Sequence, residues 1–190
     1  GTWPYGYNSF RLDLTPFVKV GEHNVLAVRT DTEKWESRWY PGAGIYRHVW
    51  LVKTGQVHVS HWGTKMEATN LTEKTADLHF SVTVENHLDE ETGAVVKTSV
   101  YELDSLDCLG KRVLSFSDQT LKLAPQGSGK IDLQETLTDC KRWDIESPNR
   151  YMACVTIQVD GQETDRYFTP FGVRDIRVSR EGFFLNGRRV

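Results

Sequence analysis

The residues best suited to recognising a small polar ligand crowd between positions 37 and 47, which read Ser-Arg-Trp-Tyr-Pro-Gly-Ala-Gly-Ile-Tyr-Arg. Arg38, Trp39 and Tyr40 lead into a Pro-Gly-Ala-Gly loop, and Tyr46 and Arg47 follow it. Glycine permits positive φ, so such a loop can approach a partner closely. An aromatic face accepts the CH groups of a sugar ring while a neighbouring guanidinium donates to its hydroxyls. Arg38, Trp39 and Tyr40 are therefore the candidate substrate contacts. The same residue types also suit an aromatic corner packed against a neighbouring domain, and composition alone favours that corner.

The other reactive residue types form no comparable group along the chain. Of six His, His58 and His61 come closest to a metal-ligand spacing. An odd separation on a strand sends them to opposite faces, so no metal site is expected there. Asp31, Glu33 and Glu36 lie in a polar stretch and read as a solvated face. The three cysteines, Cys108, Cys140 and Cys154, cannot form a complete disulfide framework. Trp143 lies between the last two, but their spacing and that of Tyr151 do not fit an antibody-type domain. They read as free thiols acting as small apolar residues. A phosphate-binding glycine loop, a nucleophile elbow and a CxxC pair are all absent, and no cofactor is expected. Asn70-Leu71-Thr72 is a glycosylation sequon that matters only in a secreted eukaryotic setting.

Charge and length narrow the classes further. Lys and Arg total 23 against 26 Asp and Glu, a net charge of -3, which disfavours a nucleic-acid binder relying on a basic face. No apolar run approaches the roughly 18 residues of a membrane helix. At 190 residues and 21.8 kDa the chain has room for one or two domains. It is long enough to bury about 70% of its unfolded surface.

The elements that must position these residues are strands. In residues 78–84 every even position is apolar and every odd one polar, and in 151–159 the odd positions are apolar. Further strands are expected at 10–14, 24–30, 45–52, 56–61, 95–103, 112–116, 120–123, 166–169 and 173–178. Turns are expected at Gly55, Gly110-Lys111, Pro125-Gln126-Gly127, Asp160-Gly161 and Glu181-Gly182, with Asp89-Glu90-Glu91 as a charged hairpin tip. Phe80, Val82, Val84, Tyr151, Ala153, Val155 and Ile157 should face a core that Trp143 caps. No convincing helical period occurs. Short strands at intervals of about 8–12 residues point to an all-β antiparallel sandwich. The regular alternation begins near Thr54-Gly55, after a segment rich in tryptophan. The last eight residues read as a strand, an Asn186-Gly187 turn and the start of a return strand. With no initiator Met at the front, the sequence reads as a piece cut from a longer polypeptide.

Three segments together resemble glycoside hydrolase family 2, the β-galactosidase type. Residues 6–15 and 21–29, followed by 37–51, are similar to the end of that family's N-terminal jelly-roll domain. Trp143-Asp144-Ile145-Glu146-Ser147-Pro148-Asn149-Arg150-Tyr151 is similar to the entry to a late strand of its immunoglobulin-like second domain. Phe171-Gly172-Val173-Arg174-Asp175-Ile176, then Phe183-Phe184-Leu185-Asn186-Gly187, is similar to the link into its catalytic barrel.

The resemblance implies three parts: 1–54 as part of a jelly-roll sugar-binding domain, 55–172 as an immunoglobulin-like β-sandwich, and 173–190 as the truncated start of a (β/α)₈ barrel. It implies a parent that hydrolyses terminal β-linked sugars with retention, using two Glu residues about 5 Å apart. Both belong to the barrel, and the acid/base follows an Asn. No Asn-Glu dipeptide occurs in this sequence, so no catalytic residue is expected in it. Some members carry an acidic residue shortly before the Gly-Ile-(Tyr/Phe)-Arg segment, where this sequence has Arg38. An Arg cannot accept from sugar hydroxyls as a carboxylate does. The expected partners are the rest of the parent polypeptide with its catalytic barrel and the parent's carbohydrate substrate, with no nucleic acid and no membrane. A homo-oligomer through residues 1–54 is a further expectation. A β-glucuronidase or β-mannosidase parent, or a stand-alone glycan- or protein-binding sandwich, remains as the alternative. The compartment is open, with the cytoplasm or periplasm of a bacterium expected.

Overall fold

A computed structural model describes residues 1–31 and 44–190. The described residues contain strands and turns but no helix, so no helix is long and apolar enough to cross a membrane. The chain divides into two compact units, Gly1–Leu51 and Val52–Val190.

The second unit holds the antiparallel sandwich. Its strands are β1 (Val57–Thr69), β2 (Thr75–Asn86), β3 (Thr92–Leu103), β4 (Leu109–Ser115), β5 (Gln119–Leu123), β6 (Ser128–Thr138), β7 (Arg150–Val159) and β8 (Gln162–Phe171). One sheet runs β1-β2-β6 and the other runs β4-β3-β7-β8. β5 also pairs with β3, opposite its first half, while β4 lies opposite its second half. The two together act as one edge strand broken at 116–118. At that break Phe116 turns inward, its ring 6.3 Å from that of Phe80.

The period-two pattern explains why these residues form a sandwich. Along β2 the even residues Ala76, Leu78, Phe80, Val82 and Val84 are buried, and along β7 the odd residues Tyr151, Ala153, Val155 and Ile157 are buried. The two inner faces meet in one apolar cluster. Residues expected in the core are therefore found there. At the β7–β8 hairpin, Asp160 and Gly161 have φ of 50° and 78°, the left-handed pair that a two-residue antiparallel turn requires.

A three-stranded ribbon of β9 (Ile176–Ser179), β10 (Gly182–Leu185) and β11 (Arg188–Arg189) follows the sandwich. Its last turn has Asn186 and Gly187 at φ 50° and 80°, as the Asn-Gly pair predicts. The strand expected at 173–178 begins only at Ile176. Val173 is instead fully buried, and its carbonyl accepts the Trp143 amide at 2.8 Å.

Several other local expectations are corrected. β6 was not foreseen, because Glu135 occupies a position that alternates with the buried Leu133 and Leu137 and blurs the pattern. The segment 87–91 is not a hairpin tip: it crosses from one sheet to the other, since β2 and β3 do not pair. Gly110 lies inside β4. The turn before it is organised by Asp104, whose Oδ1 accepts the amides of Leu106 at 2.8 Å and Cys108 at 2.9 Å.

In the first unit the strands expected at 10–14, 24–30 and 45–52 do not form among the described residues. A strand persists only where a neighbour satisfies its N–H and C=O groups, and these segments have no such ladder. Local devices replace it. Asn24 closes the loop from Lys19 with two 2.9 Å bonds, Lys19 N to Oδ1 and Nδ2 to Lys19 O. The Trp3 ring stacks on Phe10 at 4.1 Å.

Candidate functional site

The candidate substrate contacts Arg38, Trp39 and Tyr40 lie outside the described residues. So do Glu33 and Glu36 of the acidic stretch. The structure does describe the far side of the Pro-Gly loop. Tyr46 lies 6.4 Å from Tyr7, which in turn lies 5.7 Å from Tyr5, both edge to face. The Arg47 guanidinium stands 5.1 Å from the Tyr46 ring. These rings are largely exposed. Aromatic faces beside a guanidinium can stack on a sugar ring and bond its hydroxyls.

A second group forms at one end of the sandwich. Trp143 bridges Pro148 across a tight loop. Gly172 passes so close that a Cβ there would meet the Trp143 Cβ at 2.9 Å. The Arg174 guanidinium stacks 4.9 Å from the indole. Trp143 thus caps the sandwich end, as expected. Asp144 accepts from Asn186 Nδ2 at 3.2 Å and pairs with Arg188 at 3.0 Å. The Asn186 bond, aided by the Ile145 amide and Arg188, holds the Asp144 carboxyl below its usual range. An open cleft of ≈ 530 Å³ lies alongside, between the end of β1, Arg142 and the Asn186-Gly187 turn.

A third group joins β1 and β2 on the outer face of their sheet. His58 sits opposite Glu85 in the antiparallel register. His87 lies two residues beyond Glu85 and on the same side. Both imidazoles turn Nε2 toward Glu85 Oε2, His58 at 3.5 Å and His87 at 3.2 Å. Their rings meet edge to face at 4.9 Å. Burial pushes the Glu85 carboxyl up, but hydrogen bonds from Ser60 and His87 and the charges of both histidines outweigh it, and it lies below its usual range.

Asn86 explains the precision of this arrangement. It is fully buried between Glu85 and His87, and its Nδ2 donates to the carbonyls of Glu90 at 2.9 Å and Ala124 at 3.0 Å. The His87 amide continues the ladder by donating to Gln56 O at 2.9 Å. With Asn86 anchored inward, its two neighbours must point out together.

Residues 85 and 87 escaped the sequence reading. His61, the histidine nearest His58 in sequence, stays out of the group, its ring exposed and stacked on Trp62 at 4.6 Å. The available signal was Glu85 and His87 at strand spacing, but their partner is 27 residues earlier and only sheet pairing brings it across.

Residues 57–174 match the family of glycosyl hydrolases family 2, and the chain belongs to that family. Over its whole length it is 39% identical to a β-galactosidase of Bacteroides ovatus, spanning 22% of that protein. It is 35% identical, again over its whole length, to a putative β-glucuronidase of Formosa agariphila, spanning 17% of it. Among solved structures, a family 2 glycosyl hydrolase from Bacteroides cellulosilyticus matches 97% of this chain and 25% of its own with a TM-score of 0.85 at 29% identity. The chain thus spans about a fifth of the length of the curated relatives it matches.

Proposed function

We propose that the chain is a non-catalytic segment of a longer family 2 glycosidase that hydrolyses terminal β-galactosides with retention. On this reading residues 1–54 are the closing part of a jelly-roll sugar-binding domain. Residues 55–172 are the immunoglobulin-like spacer, and 173–190 lead into the catalytic barrel. The observation that carries it is the end-to-end similarity to the Bacteroides ovatus β-galactosidase. The spacer's task is to hold the sugar-binding domain against the barrel. The rigid Trp143 end, with the ribbon fastened to it, suits that task. Arg38, Trp39 and Tyr40 would reach the bound sugar. A β-glucuronide substrate is the second reading, favoured by the Formosa agariphila relative. The forked donors of Arg38 match a uronic carboxylate better than a neutral galactose.

The test is a chimera in which this chain replaces the matched segment of the Bacteroides ovatus enzyme. The isolated chain should release no nitrophenol from nitrophenyl β-galactoside, and the chimera should stay within about tenfold of the relative. In the chimera, Arg38→Ala should raise KM with kcat little changed, because it removes binding rather than chemistry. Turnover by the purified isolated chain, or a folded but inactive chimera, would overturn the proposal. A drop in KM for nitrophenyl β-glucuronide, relative to the enzyme from which the chimera is built, would favour the second reading.

A further inference from the structure

We propose that His58, Glu85 and His87 bind one divalent transition-metal ion of the zinc class where the chain enters the sandwich. The donor set comes first. Two imidazole nitrogens and a carboxylate oxygen, all within 4.8 Å of one another, are ligands that zinc-class ions favour. Around a tetrahedral zinc with bonds of about 2.0–2.1 Å, neighbouring ligand atoms lie about 3.3–3.4 Å apart. The observed separations from Glu85 Oε2 are 3.5 Å to His58 Nε2 and 3.2 Å to His87 Nε2.

Hydrogen positions make the case stronger. His58 Nδ1 lies 3.1 Å from the Gly55 carbonyl oxygen. That oxygen can only accept, so Nδ1 carries the hydrogen. With Nδ1 so held, Nε2 is the ring atom turned toward Glu85 Oε2, and it is the one a metal would take. A backbone carbonyl on the far nitrogen is also what fixes the tautomer of metal-bound histidines and aims the free nitrogen at the ion. Without a metal, a proton on each Nε2 would fill the same role, both rings donating to Glu85 Oε2. A single metal ion satisfies all three donors.

Access and rigidity agree. The His58 side chain is 9% exposed and Glu85 30%, while His87 is 49% exposed and offers an entry path. A water could complete the coordination from the exposed His87 side. The ion would tie the first residues of β1 to the end of β2, which Asn86 already anchors. Its effect is a staple at the junction through which the chain enters the fold, and the stabilisation grows with free metal concentration.

The test uses the 190-residue chain without a histidine tag, with Co²⁺ as a spectroscopic probe and Zn²⁺ as competitor. The expected result is one Co²⁺ per chain with the visible absorption of a low-coordinate N/O site, displaced by Zn²⁺, and a higher Tm with Zn²⁺ present. His87→Ala and Glu85→Gln should each weaken Zn²⁺ binding by at least about tenfold. His61→Ala, which removes an exposed histidine of the same strand, should leave it unchanged. His87 is half exposed, so its variant should keep the parent's circular dichroism, and it decides the matter if Glu85→Gln unfolds. A parent chain that gives no cobalt spectrum, as a proton-bridged cluster would, overturns the proposal. So does a His87→Ala variant that binds Zn²⁺ as tightly as the parent.

Discussion

The Asn186 side chain donates to the Trp143 carbonyl at 3.0 Å across 43 positions of sequence, and it reaches Asp144 Oδ2 at 3.2 Å. Its own carbonyl oxygen Oδ1 accepts the Asp175 amide at 3.1 Å. One turn residue thus fastens the terminal ribbon to the capped end of the sandwich. This is the connection that, in the proposed parent, would set the angle between spacer and barrel.

Asn186→Ala should release the ribbon and leave the sandwich intact. The loss is about 1–3 kcal/mol of local stability, since the part-buried Trp143 carbonyl loses its donor. Hydrogen exchange should quicken in 176–189 by about tenfold or more while the amides of β7 stay protected. Equal exchange in the variant and the parent ribbon would show that other contacts hold it.

Val155→Asp should unfold the second unit or nearly so. Val155 is fully buried at the centre of β7, with strands paired on both sides. A carboxylate there meets no cation and should cost about 3–5 kcal/mol, a large share of a domain's usual stability. Urea denaturation followed by tryptophan fluorescence measures the loss. A midpoint equal to the parent's would mean that the strand's register differs from the one described.

The chain should lose stability at alkaline pH through Tyr151. Burial pushes its phenol up to about 12, although the Lys141 amide donates to Oη at 2.8 Å, and the neighbouring Cys140 adds to the rise. The unfolded phenol ionises near pH 10, so the folded state keeps its proton longer. The contribution is complete below about pH 10 and disappears as pH climbs through about 12, costing about 1–2 kcal/mol after screening. Tm compared at about pH 9 and about pH 11.5 should fall more for the parent than for Tyr151→Phe.

Deleting residues 1–54 should leave a more soluble, monomeric sandwich. Trp50, Leu51, Val49 and Phe17 are at least 69% exposed, and the backbone of the first unit's described residues, which joins no sheet, invites pairing with another copy. Gly55 keeps its amide bond to Thr164 O at 2.8 Å, so the truncated chain retains its first anchor. Light scattering should find self-association in the whole chain at high concentration and none in the truncated one. A whole chain that stays monomeric would count against an association role for the first unit.

Alternation along the chain by itself determined the sandwich. Every residue assigned to the core from β2 and β7 is buried, because a strand with one wet face must repeat every two residues whatever its partners are. The Asp160-Gly161 and Asn186-Gly187 turns were equally plain, since left-handed backbone is written into the residue types. The family was legible too, because its motifs lie in local runs around Trp143 and Phe171.

Pairing was decided by the tertiary structure. Strand length and polarity do not say which sheet a strand joins, so the crossing at 87–91 and the split edge of β4 and β5 appear only in the fold. The cluster of His58, Glu85 and His87 has the same origin. Its members are remote along the chain, and a ladder register one residue different would turn them to opposite faces. The segments at 10–14, 24–30 and 45–52 teach the converse. Their apolar residues suit strands, yet a strand is a property of two chain segments, and the sequence of one segment does not supply the other.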